Sequence, residues 1–147
     1  MEKIIPTDGS EYARYMIGKA RLFMFRAREK ELMPYNVSSR QANILYIIYN
    51  YGRQISLSEL AWHSDRKINT LSILMTRMER DGLVKKIRKT PNSTILKFEL
   101  TKKGMDTYKR IIKSGSVKAI MSILSDQEQK QLVSMLEGIV NAAEIYH

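Results

Sequence analysis

Residues 56–101 read SLSELAWHSDRKINTLSILMTRMERDGLVKKIRKTPNSTILKFELT. Ser56 and Glu59 stand at capping-box spacing, where a hydroxyl takes the amide three residues on and the carboxylate returns to the cap amide. They open a short helix with Leu57, Leu60 and Ala61 turned inward, and His63, Ser64 and Asp65 then form the turn. The next helix, roughly Arg66 to Asp81, puts Ile68, Leu71, Leu74, Met75 and Met78 on one face. Lys67, Asn69, Thr70, Ser72, Ile73, Thr76 and Arg77 fall on the other, and Gly82 suits the left-handed end of the helix. Residues 83–88 and 95–100 change to strand character, with Leu96, Phe98 and Leu100 alternating against Ile95, Lys97 and Glu99. Thr90-Pro91-Asn92-Ser93 makes the tip of that hairpin. Helix, turn, helix and basic hairpin in this order predict a winged helix-turn-helix.

The charge of the same stretch constrains its partner. From Arg66 to Lys103 eleven basic residues stand against Glu79, Asp81 and Glu99, a local excess of +8 in a chain whose net charge is +10. Between Val117 and His147 the balance reverses, with Lys118 and Lys130 against Asp126, Glu128, Glu137 and Glu144. Positive charge concentrated around a hairpin is the electrostatic footprint of a nucleic-acid binder. An anionic membrane surface fits less well, because the cations do not line one amphipathic helix.

Outward from this module the chain reads as helices. After an arm containing Pro6 and Asp8-Gly9-Ser10, Tyr12, Tyr15, Met16, Ile17, Ala20, Phe23, Met24 and Ala27 follow helical spacing over about Glu11 to Glu31, until Pro34. Ser38 with Gln41 is a further capping box, leading into Ile44, Leu45, Ile47, Ile48 and Tyr51 and closed by Gly52. Gln54-Ile55 suits a brief strand against the hairpin. Thr101 caps a helix from Lys102 towards Leu124, with a weak point for a kink at Ser114-Gly115-Ser116. Ser125 with Glu128 starts the last helix, which runs to about Ile145 and carries Leu132, Met135, Leu136, Ile139 and Val140 on its apolar face. The fold class is therefore mainly α with a small β-hairpin wing. The organisation is an N-terminal arm and dimerisation helix over 1–33, a winged helix-turn-helix over 36–101, and C-terminal dimerisation helices over 102–147. The terminal helices carry more apolar surface than the central module needs, and a homodimer interface would use it.

Composition narrows the function further. A chain of 147 residues with 44% hydrophobic and 27% charged residues is that of an ordinary globular domain. No stretch approaches the roughly 18 uncharged apolar residues of a membrane helix, and residues 1–10 lack the apolar core of a secretory signal, so a cytoplasmic location is expected. There is no cysteine, and His63 and His147 are too few for a zinc site. Without a nucleophile–base pair, a metal cluster or a glycine-rich phosphate loop, an enzyme is not expected, nor is a cofactor.

Three landmarks resemble those of the MarR family of bacterial transcription regulators. They are Leu57-Ser58-Glu59-Leu60-Ala61, Met78-Glu79-Arg80-Asp81-Gly82-Leu83-Val84, and Leu100-Thr101-Lys102-Lys103-Gly104. The resemblance implies a homodimer held by terminal helices, a palindromic operator, and commonly a small aromatic or phenolic ligand that releases DNA. The sequence departs from the family at Ser72-Ile73, where a Thr-Arg pair is frequent. It departs again at Asn92-Ser93-Thr94, where the wing usually has an Asp-x-Arg, which leaves minor-groove contact either weaker or supplied by Lys89.

The expected DNA-contacting residues are Arg66, Lys67, Asn69, Thr70, Ser72, Ile73, Thr76 and Arg77 on the second helix, with Arg88, Lys89 and Lys97 on the hairpin. Short polar side chains and guanidinium groups match the hydrogen-bond pattern of base edges, and Ile73 suits a thymine methyl. The hairpin cations suit phosphates, which position a protein without reading sequence. Arg66 and Lys67 would add to the pull of the helix N-terminus on phosphate. The same residues would also serve as a plain solvated face. By family analogy Tyr12, Tyr15, Met16, Tyr46, Tyr49, Trp62 and Tyr108 line a ligand cavity; packing in the core or a dimer interface is the other reading. His63 reads as a hydrogen-bonded turn residue. The expected function is a dimeric, sequence-specific repressor of transcription released by a small aromatic molecule. The alternative is a constitutive, nonspecific or architectural nucleic-acid binder.

Overall fold

The computed structural model describes residues 4–52, 54–113 and 115–146. Its elements run α1 (Gly9–Leu32), a 3-10 turn (Met33–Tyr35), α2 (Ser39–Tyr51), β1 (Ile55–Ser56), α3 (Leu57–Ser64) and α4 (Ile68–Arg80). They continue with β2 (Val84–Arg88), β3 (Leu96–Leu100), α5 (Lys102–Ile111), α6 (Ser116–Met121) and α7 (Asp126–Ala143), and close on a 3-10 turn (Glu144–Tyr146). The chain divides into two compact units, one over residues 25–114 and one made of 1–24 with 115–147.

Among the described residues the buried core falls in the unit over 25–114, every member of it between Leu32 and Ile111. Ile44 and Leu45 of α2, Leu60 of α3, Leu71, Met75 and Met78 of α4 and Phe98 of β3 are fully buried. They sit at helical spacing on α2 and α4, so each helix gives one stripe to the core. The sheet has the order β1-β3-β2, antiparallel throughout. Phe98 on the central strand opposes Ile55 on one side and Lys86 on the other.

Local chemistry explains most element ends. Ser38 with Gln41 and Ser56 with Glu59 form complete reciprocal capping boxes, and Gly52 and Gly82 end α2 and α4 at φ 72° and 73°. At the start of α5 the Thr101 hydroxyl donates to the Gly82 carbonyl at 2.5 Å and accepts from Gly104 N–H at 3.0 Å. Thr101 N–H also reaches the Leu83 carbonyl at 3.2 Å. This clasp brings the first turn of α5 so close to the chain after α4 that a side chain at Gly104 would meet the Leu83 carbonyl oxygen at 1.9 Å.

Several sequence expectations need correction. The strand expected at Gln54-Ile55 is Ile55–Ser56, and Gln54 instead donates through its side chain to Glu99 at 3.2 Å. His63 and Ser64 are still helical; the turn is made by Asp65 at φ 51°, a conformation that a short polar side chain tolerates. Lys67 keeps an extended backbone, so α4 begins at Ile68, later than Arg66. Ile68, expected inward, is 48% exposed because it opens the helix, with no preceding turn to cover it. The hairpin strands are one residue shorter at Leu83 and Ile95 than expected. The helix expected from Lys102 towards Leu124 is two helices, α5 and α6, with the weak helix former Gly115 just ahead of α6, where the sequence places the weak point.

In the other unit α1 starts at Gly9, earlier than Glu11, because the Asp8 carboxylate accepts from Ser10 N–H at 2.7 Å and Glu11 N–H at 3.2 Å. Ser125 and Glu128 form the expected capping box at the head of α7. Neither α6 nor α7 buries a residue. Met135, Ile139 and Val140 are 60%, 52% and 54% exposed despite forming one apolar stripe.

Candidate nucleic-acid interface

The face of α4 opposite Leu71, Met75 and Met78 is built by the same periodicity that buries those three. Lys67, Asn69, Thr70, Ser72, Ile73, Thr76 and Arg77 are all exposed, as expected from the wheel. The Thr76 hydroxyl donates back to the Ser72 carbonyl at 3.0 Å. Lys67 supplies no side-chain cap to α4, so the first amides of this helix have no such partner. Arg66 lies before α4, with its N–H on the Ala61 carbonyl at 3.1 Å. Its Nε is buried without a hydrogen-bond partner.

The hairpin turns where the sequence indicates, with Ser93 N–H donating to the Thr90 carbonyl at 3.0 Å. Arg88 ends β2 and Lys89 follows it toward the tip, both exposed. Lys97 differs: it lies on the central strand in register with Ser56, and its charge acts on the Glu59 carboxylate. That carboxylate accepts from the Tyr51 hydroxyl at 2.6 Å and Ser56 N–H at 2.7 Å. The tyrosine bond first, the Ser56 bonds next and Lys97 last hold its pKa at about 2, so Glu59 stays ionised beside the sheet.

Ion pairing sorts the cations. Glu79 takes Lys86 at 2.7 Å, Glu99 takes Lys85 at 2.6 Å, and Asp81 takes Arg80 at 3.4 Å. All three carboxylates between Arg66 and Lys103 are thus engaged by cations outside the expected contact set. Among the described residues Arg66, Lys67, Arg77, Arg88, Lys89 and Lys97 have no ion pair, so the local excess of +8 rests largely on them. Arg80 shares the outward side of α4, but its guanidinium is engaged by Asp81.

Residues 37–93 match the model of the MarR family, a span from just before α2 to the tip of the hairpin. These residues belong to the MarR family. The fold extends the likeness. AbsC, a MarR family transcriptional regulator from Streptomyces coelicolor, superposes with a TM-score of 0.78 at 21% identity, over 97% of this chain and 99% of that one. A mutant MarR from E. coli complexed with operator DNA gives 0.71 at 19% identity, over 85% and 91%. NadR in complex with 4-hydroxyphenylacetate gives 0.78 at 19% identity, over 95% and 97%. No curated protein matches the chain in sequence. At such identities the structural likeness is one of fold: a mainly helical winged helix-turn-helix with flanking helices, the architecture of MarR-family regulators.

The MarR-family segment and α5 also gather part of the expected aromatic set. Tyr49 and Tyr46 of α2 lie 4.5 Å and 6.5 Å, centroid to centroid, from Tyr108 of α5, and Asn50 donates to the Tyr108 hydroxyl at 3.3 Å. Asn50 carries no sequence signal for this role, since a polar residue near the end of an apolar helix reads as solvated. Trp62 is 64% exposed on α3, and its ring meets His63 edge-on at 4.8 Å. His63, expected in the turn, instead sits in the last turn of α3, with Tyr51 on its other edge at 5.8 Å. In the other unit Tyr12 and Tyr15 stack at 6.2 Å, with Met16 exposed beside them on α1. Among the described residues no cluster of His, Cys, Asp and Glu is arranged to hold a metal, and no helix is long and apolar enough to cross a membrane.

Proposed function

We propose that the chain is a dimeric, sequence-specific DNA-binding regulator of transcription, a repressor that binds a palindromic operator and is released by a small aromatic or phenolic ligand. The observation that carries the reading is the division of the cations: Arg80, Lys85 and Lys86 take the three acids of the basic stretch, while Arg66 and Lys67 ahead of α4, Arg77 on it, and Arg88 and Lys89 on the hairpin have no ion pair among the described residues. In this reading α4 enters the major groove, with Asn69, Thr70, Ser72, Ile73, Thr76 and Arg77 toward base edges. Arg66, Lys67, Arg88 and Lys89 take phosphates on either side, and Lys97, on the central strand with the charge of Glu59 nearby, contributes least. The capture of operator DNA by the E. coli MarR mutant with the same fold supports this assignment.

The stripe on α7 supports the dimer, since burying Met135, Ile139 and Val140 against a second copy would remove apolar surface that the chain leaves open. Two α4 helices must then stand one turn of DNA apart, roughly 34 Å, to enter successive grooves. The complex of NadR with 4-hydroxyphenylacetate supports a phenolic ligand, with Tyr46, Tyr49, Tyr108 and Asn50 as the group to receive it in the module. Trp62 is a further candidate contact in the module, and Tyr12, Tyr15 and Met16 are candidate contacts of their own on α1. A ligand that favours a different spacing of the two helices lowers DNA affinity by reciprocity.

The test is a footprint on the DNA flanking the chain's own gene at two salt concentrations. The reading expects a bounded near-palindrome that persists at the higher salt. Unbounded, salt-labile protection would replace it with a nonspecific binder, and unchanged DNA dissociation across a panel of phenolic compounds would remove the ligand.

A further inference from the structure

The outward side of α4 carries apolar chemistry in a place built for polar contacts. By the 3.6-residue period Ile73 lies opposite the buried stripe of Leu71, Met75 and Met78, with Asn69 one turn before it and Thr76 beside it in the next turn. Ile73 is 60% exposed. Thr76 would ordinarily bring a hydroxyl donor to this surface, but its proton is already given to the Ser72 carbonyl at 3.0 Å. What Thr76 chiefly retains for an outside partner is its methyl group. The middle of the face is thus a small apolar patch, with Asn69 and Arg77 providing hydrogen-bond donors on either side.

Among the features that base pairs display in the major groove, one is apolar: the 5-methyl group of thymine. The geometry points to Ile73, assisted by Thr76, as a specificity-determining residue that packs on a thymine 5-methyl group of the DNA site. The inference rests on the DNA-binding reading proposed above and deepens it by naming the base. An exposed isoleucine gains by losing water, and burying one methyl against it is worth about fourfold in affinity.

The experiment uses the full chain and duplexes selected from random sequence for binding to it. Each thymidine of the selected site is then replaced singly by deoxyuridine, which removes the methyl and leaves every hydrogen-bonding group in place. The expected result is a loss of about fourfold at the position facing Ile73. Ile73→Ala should shrink the gap between the thymidine and deoxyuridine duplexes at that position while keeping the salt dependence of the parent. Deoxyuridine duplexes that all bind as tightly as the parent, or a methyl effect undiminished in Ile73→Ala, overturn the inference and leave the DNA reading intact. If no sequence is enriched at all, the DNA reading falls and takes the inference with it.

Discussion

Gly104 and the Leu83 carbonyl oxygen are so close that even a methyl group at residue 104 would stand 1.9 Å from that oxygen. The obstacle is backbone on both sides, locked by the Thr101 bonds to Gly82 and Leu83, so neither partner can turn away. Gly104→Ala is therefore expected to destabilise the chain by about 3 kcal/mol, the upper range for forced overpacking. Urea unfolding measures it, and a loss below about 0.5 kcal/mol would mean that the clasp between α4 and α5 yields freely.

Glu59 makes stability depend on acid. Its pKa of about 2 in the folded chain lies below the ordinary 4.5, so the unfolded chain binds the proton more readily. The stabilisation from its bonds to Tyr51 and Ser56 is complete above about pH 4.5 and fades as pH falls toward 2. The difference in urea midpoint between the parent and Glu59→Gln should be greatest at pH 5 and above, and shrink toward pH 2.5. A difference that stays constant across that range would show that the carboxylate's charge is not what the tyrosine and the cap recognise.

Pairing within the basic stretch separates lysines that look alike in sequence. Lys89→Ala should lower the slope of log affinity against log salt by about 0.9, the value for one phosphate contact. Lys85→Ala and Lys86→Ala should leave the slope nearly unchanged, because Glu99 and Glu79 already hold those ammonium groups. Equal slopes for all three variants would count against the division of cations described above.

Arg77 has no ion pair to lose among the described residues. On a selected operator Arg77→Ala should cost about 1 to 3 kcal/mol, and relax the preference at one base position. Fluorescence anisotropy with the selected site and single-base variants measures both effects. Affinity equal to the parent's would take Arg77 out of the readout.

Ile139→Glu puts a charge in the exposed stripe of α7 without touching the buried core of residues 25–114. Sedimentation equilibrium should find the parent a dimer and the variant a monomer. A variant that dimerises as tightly as the parent would move the interface elsewhere.

What could be read in advance depended on the range of the interactions. Ser38 with Gln41, Ser56 with Glu59 and Ser125 with Glu128 close their bonds within three residues, so the letters alone place those helix starts. The outer face of α4 was legible for the same reason, since one period places both its sides. Ile68 failed because a helix wheel has no ends, and Arg66 because an extended Lys67 delays the helix. The division of the cations was hidden, since Lys86 reaches Glu79 from a different element and Lys85 reaches Glu99 across the sheet. Asn50 was hidden too: its bond to Tyr108 spans 58 positions.

The burial of every core residue between Leu32 and Ile111, while α6 and α7 bury none, bears on gene dosage. In the proposed dimer the terminal helices gain their cover from a second chain, so their order depends on how much protein is present. Below the dimer dissociation constant the supply of paired reading heads falls with the square of the chain concentration. Halving expression would then cut the operator-competent form about fourfold. A cell could relieve repression by dilution during growth, with no inducer present.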